Sequence, residues 1–124
     1  IEHEAEKQGI LQDILLEVNV AAEESKSGFT PELAPEIAAQ MVEYPHCRLR
    51  GLMAIPPISE KNGDNCRYFE KIHTIAVDIT AKKYDNVCMD CLSMGMSEDY
   101  ADAIACGSTM IRVGTAIFGA RIYK

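Results

Sequence analysis

The sequence alternates short apolar segments with stretches of helical periodicity, and this alternation limits the fold more strongly than any other feature. Short runs rich in apolar and β-branched residues, each bounded by turn residues, are typical of strands. Four such runs occur, at residues 14–20, 49–55, 87–95 and 110–115. They indicate a protein built around a small sheet.

Helical patterns occupy the intervals between the four predicted strands. Apolar stripes appear at Leu33, Ile37 and Met41 in the first interval and at Phe69, Ile72, Ala76 and Ile79 in the second. This spacing is typical of amphipathic helices. A third, short helix follows Ser97, which is a good N-cap residue, and ends near Gly107. A further helical segment spans residues 2–8 in front of the first strand.

The resulting order of strand, helix, strand, helix, strand, helix, strand predicts an α/β protein. Its strands should be parallel and joined by helical crossovers within one domain, residues 1–124. Two architectures fit, a small open doubly wound sheet or half of an eight-stranded barrel, which in full takes about 250 residues. Periodicity alone does not choose between them.

Composition and charge exclude several classes of partner. The 124 residues carry 19 acidic and 12 basic side chains, a formal net charge of −7, with no block of Lys and Arg. Such a chain repels nucleic acids and anionic membranes. No apolar run reaches the roughly 18 residues needed to span a bilayer. We therefore expect a soluble protein without a nucleic-acid or membrane partner.

The five cysteines do not form a metal-binding or disulfide pattern. Their number is odd and their spacing is not that of a secreted disulfide scaffold, which favours a reducing cytoplasm. Cys88 and Cys91 have CxxC spacing, but residues three apart in a strand point to opposite faces. No second CxxC or HxxxH pair completes a tetrahedral site. The sequence therefore predicts no metal site.

Two turns at the ends of the last two strands are candidates for anion binding. Gly95, Met96 and Ser97 lead into a helix, and Gly114 and Thr115 follow the final apolar run. In barrels, the loops after strands seven and eight commonly bind phosphate through backbone N–H groups. Alternatively, Ser97 only caps its own helix and Gly114 only makes a turn. The pattern alone favours this second interpretation.

Three stretches of the sequence carry a family signature. They are residues 92–121, which include LSMGMSED and GSTMIRVGTAIFGAR, residues 49–56, LRGLMAIP, and residues 24–29, ESKSGF. Together they resemble the pyridoxal phosphate homeostasis family, the YggS/PROSC-like proteins. The resemblance extends over nearly the whole chain from about residue 14 onward.

The resemblance implies a barrel of the alanine-racemase type, of which this chain would be the C-terminal half, its last four βα units. Family members bind pyridoxal 5′-phosphate through a lysine on the first strand and are regarded as cofactor-handling proteins without an established enzyme activity. The resemblance implies that the first four units, with that lysine, would lie ahead of the region that corresponds to this chain. The implied protein is a cytoplasmic reservoir or carrier for vitamin B6, with pyridoxal-phosphate-dependent enzymes as acceptors.

Carried over residue by residue, the family's cofactor site falls on the last two strand ends. Ser97, Gly114 and Thr115 would hold the phosphate, with help from the backbone of Met96 and Ser97, and Arg112 would face the pyridine nitrogen. Arg112 is the one charge in an apolar strand, and a buried arginine needs a partner. Without the resemblance, an ion pair with an acidic neighbour would explain it equally well.

Lys26 lies in a loop after the first predicted strand and is the other lysine to consider for the cofactor. A covalent role needs a desolvated position. The surrounding residues Ser25, Ser27 and Gly28 indicate a solvated loop instead. We therefore predict a structural or peripheral ligand contact for Lys26.

Two other classes of protein remain open. An amino-acid racemase of the same barrel type would use the same cofactor but would recruit a tyrosine from a C-terminal β-domain. A phosphate-binding barrel or flavodoxin-like module would have no pyridoxal chemistry. In addition, a half-barrel leaves two strand edges unpaired. We expect the chain to self-associate or to pair with the missing half.

Overall fold

A computed structural model describes residues 1–123, in which five α-helices and four strands alternate along the chain. In chain order they are α1 (Glu2–Gln8), β1 (Gln12–Glu17), α2 (Ala34–Gln40), a 3₁₀ turn (Met41–Glu43), β2 (Cys47–Met53), α3 (Cys66–Lys82), β3 (Val87–Met96), α4 (Tyr100–Ala105), β4 (Met110–Arg112) and α5 (Thr115–Phe118). The predicted α/β order is confirmed. None of the helices within residues 1–123 is long and apolar enough to cross a membrane.

The four strands lie parallel in one sheet, in the order β1-β2-β3-β4. A helix connects each strand to the next. A doubly wound sheet reverses its strand order at a switch point, whereas a barrel adds each strand beside the previous one. The sequential order therefore selects the barrel, and the curled sheet is a half-barrel with β1 and β4 at its edges.

The connecting helices pack against one face of this sheet. Leu16, Leu49 and Leu92, from β1, β2 and β3, share one buried cluster with Phe69 of α3 and Ala103 of α4. The apolar stripe predicted for α3 is confirmed, since its members Phe69, Ile72, Ala76 and Ile79 are all buried. Leu33 of the first predicted stripe, by contrast, is exposed. It is the N-cap residue of α2, and Ala34 and Ala38 of that helix face the core.

The opposite, concave face of the sheet carries ion pairs. Arg48 and Arg50 alternate with buried Leu49 along β2, so they point away from the helices. Arg48 Nε donates to Asp13 Oδ1 at 2.6 Å, and Arg50 donates to both Asp13, at 3.2 Å, and Asp90. We call Asp13, Arg48, Arg50 and Asp90 the concave ion cluster.

A bulge at Arg50 interrupts the pairing of β1 with β2. The register shifts from Ile14 beside Leu49 to Leu15 beside Gly51, which leaves Arg50 between the two pairs. On its other side, Gly51 pairs with Cys91 of β3, and a Cβ built on Gly51 would lie 1.6 Å from the carbonyl oxygen of Cys91. The close backbone approach therefore requires glycine at position 51.

Several strand boundaries differ from the sequence prediction, and β2 spans Cys47–Met53 where a strand at 49–55 was predicted. The first strand was predicted at 14–20, but β1 ends at Glu17, and Val18 continues it only as an isolated bridge to Phe29. The last strand was predicted at 110–115, but β4 ends at Arg112 and Thr115 begins α5. The reason for the difference at β4 is a long-range contact with Ser97, described below.

Candidate functional site

The carboxyl ends of β3 and β4 meet at one edge of the sheet. Met96, the last residue of β3, pairs with Arg112, the last residue of β4. The loop that begins at Ser97 and the loop that contains Gly114 and Thr115 are therefore neighbours. All five residues that the sequence assigned to a cofactor lie in this region.

Ser97 joins the two loops through its side chain. Its hydroxyl oxygen accepts hydrogen bonds from the backbone N–H groups of Gly114 and Ala116, both at 3.2 Å. The helix after Ser97, α4, begins only at Tyr100 and has Asp99 at its N-cap. The interpretation that Ser97 only caps its own helix is therefore wrong, because the hydroxyl binds the start of α5.

Gly114 and Thr115 form the second half of the site. Gly114 is the N-cap residue of α5, with φ −121° and ψ −74°. No atom of the described chain lies within 4 Å of a Cβ built on Gly114, so the space beside its backbone is open. Thr115 is the first residue of α5 and is exposed. This arrangement leaves room for a ligand against the Gly114 backbone, with the Thr115 hydroxyl nearby.

Arg112 crosses from β4 toward the end of β2. Its Nη2 donates to the carbonyl oxygen of Ala54 at 2.9 Å. Its Nε is buried without a hydrogen-bond partner. Within residues 1–123, Arg112 forms no ion pair, so the acidic neighbour that the sequence left open is not found there. A buried N–H without an acceptor is costly, and a ligand acceptor would satisfy it.

The backbone of Met96 is engaged by a residue that sequence analysis did not assign to the site. The N–H of Met96 donates to Asp99 Oδ1 at 2.8 Å, and Asn65 Nδ2 donates to Asp99 Oδ2 at 2.8 Å. Asp99 is the N-cap residue of α4. Its contact with Asn65, 34 residues away, carries no local sequence signal.

Lys26 ties together the loops that follow β1 and β2. Its Nζ donates to the carbonyl oxygen of Pro56 at 3.1 Å and lies 2.8 Å from Glu23 Oε2. Its side chain is partly exposed. These contacts give Lys26 a structural part at the same edge of the sheet as the candidate site. A contact between Lys26 and a ligand stays a prediction.

Groups of metal ligands are not found in the part of the chain that the structure describes. No three His, Cys, Asp or Glu side chains within residues 1–123 are placed to hold one ion. Cys88 is exposed and Cys91 is partly buried, and both are free thiols. The candidate site therefore depends on hydroxyl, guanidinium and backbone N–H donors.

The fold and the site define a class, half of a parallel barrel with two donor-bearing loops at the carboxyl ends of adjacent strands. Parallel barrels commonly use such loops to bind phosphate-bearing ligands. The chain belongs to the family described as alanine racemase, N-terminal domain, whose profile matches residues 1–122. The barrel type inferred from the sequence is thereby confirmed.

Curated relatives of the chain are named pyridoxal phosphate homeostasis protein. One from Aquifex aeolicus is 43% identical over 123 residues, which cover 99% of this chain and 53% of the relative. One from Escherichia coli is 48% identical over 113 residues, which cover 90% of this chain and 47% of the relative. The chain thus spans about half the length of the curated relatives it matches, and the resemblance stated from its motifs is confirmed.

Two solved structures show the same fold. An unknown protein from Bifidobacterium adolescentis superimposes with a TM-score of 0.89 at 39% identity, covering 95% of this chain and 47% of its own. PipY from Synechococcus elongatus, solved with PLP bound, gives a TM-score of 0.80 at 28% identity, covering 95% of this chain and 54% of its own. Both similarities agree with a half-barrel that corresponds to part of a longer protein.

Proposed function

We propose that the chain forms the phosphate- and ring-nitrogen-binding part of a protein that binds pyridoxal 5′-phosphate and serves vitamin B6 homeostasis in the cytoplasm. The observation that carries this proposal is the buried Arg112 Nε, which has no acceptor among residues 1–123. Arg112 ends β4 and pairs with Met96, the residue that precedes the Ser97 loop. The names of the relatives and the PLP bound to PipY support the choice of ligand.

The phosphate would lie between the two loops that Ser97 joins. A serine hydroxyl has two acceptor lone pairs and one O–H donor. Because the N–H groups of Gly114 and Ala116 occupy the oxygen as acceptor, the O–H remains to be donated to a phosphate oxygen. Gly114 leaves the space that the anion needs, and the Thr115 hydroxyl is a further donor.

Arg112 would donate its free Nε–H to the pyridine nitrogen. When bound, pyridoxal 5′-phosphate supplies a ring that acts as an electron sink, most effectively when a carboxylate keeps its nitrogen protonated. An arginine stays charged and can only donate hydrogen bonds. Arg112 would therefore hold an unprotonated nitrogen, which favours binding and release of the cofactor over transformation of amino acids. In that role, pyridoxal-phosphate-dependent enzymes would be the acceptors.

We assign the chain to the C-terminal half of the complete barrel. In barrels the phosphate loops typically follow the last two strands, which here correspond to β3 and β4. The remaining half would bring the lysine that binds the cofactor covalently in the family. Because β1 and β4 are edge strands, the chain should self-associate or pair with that half. Sedimentation velocity across a concentration series tests this association, and a compact monomer at all concentrations would contradict it.

Paired titrations test the proposed function. Pyridoxal 5′-phosphate and pyridoxal, which lacks the phosphate, are each titrated into the chain and their dissociation constants compared. We expect the phosphorylated form to bind at least about tenfold more tightly, since a charge-assisted hydrogen bond contributes about 1.5–3 kcal/mol. Equal affinities would contradict a phosphate site at Ser97 and Gly114.

A second assay separates a carrier from an enzyme. The chain, alone and joined to the N-terminal half of a relative, is incubated with the cofactor and a panel of L-amino acids, followed by chiral analysis. We expect no multiple turnover. Racemisation at about 1 per second or faster, the lower end of typical enzyme rates, would contradict the carrier role and support the racemase alternative.

A further inference from the structure

Asp99 closes a short ring of hydrogen bonds around Ser97. Asp99 Oδ1 accepts the N–H of Met96 at 2.8 Å, and the N–H of Asp99 donates to the carbonyl oxygen of Met96 at 3.2 Å. Met96 thus donates one hydrogen bond to Asp99 and accepts another from it, and Ser97 and Glu98 lie between the two residues. The backbone turn that carries Ser97 is therefore held from both sides, while the Ser97 hydroxyl itself contacts the N–H groups of Gly114 and Ala116.

Asn65 holds the carboxylate that closes this ring. The Asn65 side chain is only 5% exposed, and its Nδ2 donates both to Asp99 Oδ2 at 2.8 Å and to the carbonyl oxygen of Pro57 at 3.0 Å. Asn65 immediately precedes α3, whose apolar face is fixed in the core. Asp99 is thus tied through one amide to a rigid helix.

The negative charge of Asp99 would act against an anion bound at Ser97. Two like charges a few ångströms apart repel each other, and the repulsion weakens with solvent exposure. Any benefit of Asp99 to a phosphate site must therefore come from the geometry it imposes. Charge repulsion and positioning by Asp99 therefore have opposite effects on phosphate affinity, and a substitution at Asp99 distinguishes them.

We propose that Asp99, held by Asn65, is a positioning residue that orients the Ser97 hydroxyl between the two loops. The proposal rests on the proposed function of the site as a phosphate site. Asp99 makes no contact with the ligand itself. Removal of its carboxylate lets the turn at residues 96–99 move, and Ser97 then loses its fixed position over the N–H groups of Gly114 and Ala116.

The test measures dissociation constants of pyridoxal 5′-phosphate and pyridoxal for Asp99→Ala and for a matched control, Asp102→Asn. Asp102 lies in α4, and its Oδ2 accepts the N–H of Gly63 at 2.7 Å. The control removes one carboxylate charge, while the asparagine oxygen can still accept from Gly63. Asp102 makes no hydrogen bond to Met96 or Ser97 within the described chain. Circular dichroism melts check that each variant is folded.

We expect Asp99→Ala to bind pyridoxal 5′-phosphate about three- to tenfold more weakly, as for the loss of one hydrogen bond. Pyridoxal binding should be unchanged, because only the phosphate contacts Ser97. Asp102→Asn should bind both ligands as the wild type does, or the phosphorylated one slightly more tightly. If Asp99→Ala binds pyridoxal 5′-phosphate as tightly as the wild type or more tightly, the charge of Asp99 alone determines its effect on affinity. The positioning role is then overturned.

An exchange variant keeps the proposal testable should Asp99→Ala not fold. In Asn65→Asp/Asp99→Asn, the new amide at 99 can still accept from Met96 and can donate to the new carboxylate at 65. The bond from residue 65 to the carbonyl oxygen of Pro57 is lost, so Asn65→Asp alone is measured beside it. We expect the exchange variant to bind pyridoxal 5′-phosphate within about threefold of the wild type and at least as tightly as Asp99→Asn alone. Weaker binding than in Asp99→Asn would overturn the role of the Asn65 contact.

Failure of this inference and failure of the proposed function give different results. Wild-type protein that does not prefer pyridoxal 5′-phosphate over pyridoxal overturns the phosphate site and the role of Asp99 with it. Wild-type protein that has this preference, together with an Asp99→Ala variant that keeps it in full, overturns only the role of Asp99.

Discussion

The hydroxyl oxygen of Ser97 lies 3.2 Å from the backbone nitrogen of Gly114, although 17 positions separate the two residues along the chain. This contact fastens the loop after β3 to the loop after β4. It explains why α5 begins at Thr115, where continuation of the strand was predicted, because the hydroxyl binds the first free N–H groups of the helix. It also leaves the O–H of Ser97 available to a ligand.

The hydroxyls of Ser97 and Thr115 should each contribute to retention of pyridoxal 5′-phosphate. We expect Ser97→Ala and Thr115→Val to weaken binding by about 1 kcal/mol each, the usual contribution of a hydrogen bond. Isothermal titration measures both. Thr74→Val is the control, since the Thr74 hydroxyl bonds only to the carbonyl of Glu70 on the exposed side of α3. Unchanged binding in both site variants would remove the hydroxyls from the account.

Gly114→Ala should separate ligand binding from stability. Position 114 has a negative φ of −121°, and apart from the residue and its two chain neighbours no atom of the described chain lies within 4 Å of an added Cβ. We therefore expect the free energy of unfolding to change by less than about 1 kcal/mol. The added methyl group occupies the space proposed for the phosphate, so the dissociation constant of pyridoxal 5′-phosphate should rise several-fold. Unchanged affinity would show that the ligand does not lie against Gly114.

Gly51→Ala should destabilise the fold without any direct effect on the site. The added Cβ would meet the carbonyl oxygen of Cys91 at 1.6 Å, and backbone cannot move aside as a side chain can. Overpacking in a core typically costs 1–3 kcal/mol, and we expect about 3 kcal/mol or more here. Urea denaturation gives the value, with Gly114→Ala as the matched substitution in open space. A loss under about 1 kcal/mol would argue against the bulge.

The general architecture could be predicted because its signals are local. The helix at residues 2–8 and the strand from Val87 follow from the pattern of apolar and polar residues, and both were found within one residue. The parallel order follows from the alternation of the two periodicities. The choice between a barrel and a doubly wound sheet did not follow from periodicity, because both place a helix between successive strands.

The details of the site could not be predicted in this way because they depend on contacts distant in sequence. Ser97 binds the start of α5, and Asp99 binds Asn65, which is 34 positions away. The bulge at Arg50 brings two aspartates to one arginine across three strands. The proposed cofactor role of Arg112 came from the family resemblance, since its position in an apolar strand fits an ion pair equally well.

The concave ion cluster should make stability depend on pH in the acid range. The hydrogen bond from Arg48 is the main cause that holds the pKa of Asp13 below its usual value, and the bond from Arg50 does the same for the pKa of Asp90. A carboxyl whose pKa is lower in the folded state stabilises the protein above its unfolded pKa, about 3.9 for aspartate. That stabilisation is lost as the pH falls through the lower, folded value.

We therefore expect the free energy of unfolding to decrease as the pH falls below about 4. The decrease should be smaller in Asp13→Asn and Asp90→Asn, which have already lost the titrating group. Urea denaturation at a series of pH values measures it. Glu36→Gln, an exposed carboxyl of α2 outside the cluster, is the control and should follow the wild type. Identical profiles for all four proteins would contradict the coupling.

A crystal structure of the chain grown with saturating pyridoxal 5′-phosphate tests the central claim most directly. We expect phosphate oxygens within hydrogen-bond distance of the Ser97 hydroxyl and of the backbone at Gly114 and Thr115. The pyridine nitrogen should lie within hydrogen-bond distance of Arg112 Nε, the buried donor without a partner among residues 1–123. Cofactor bound elsewhere, for example with its phosphate on Arg50 of the concave ion cluster, would contradict the account.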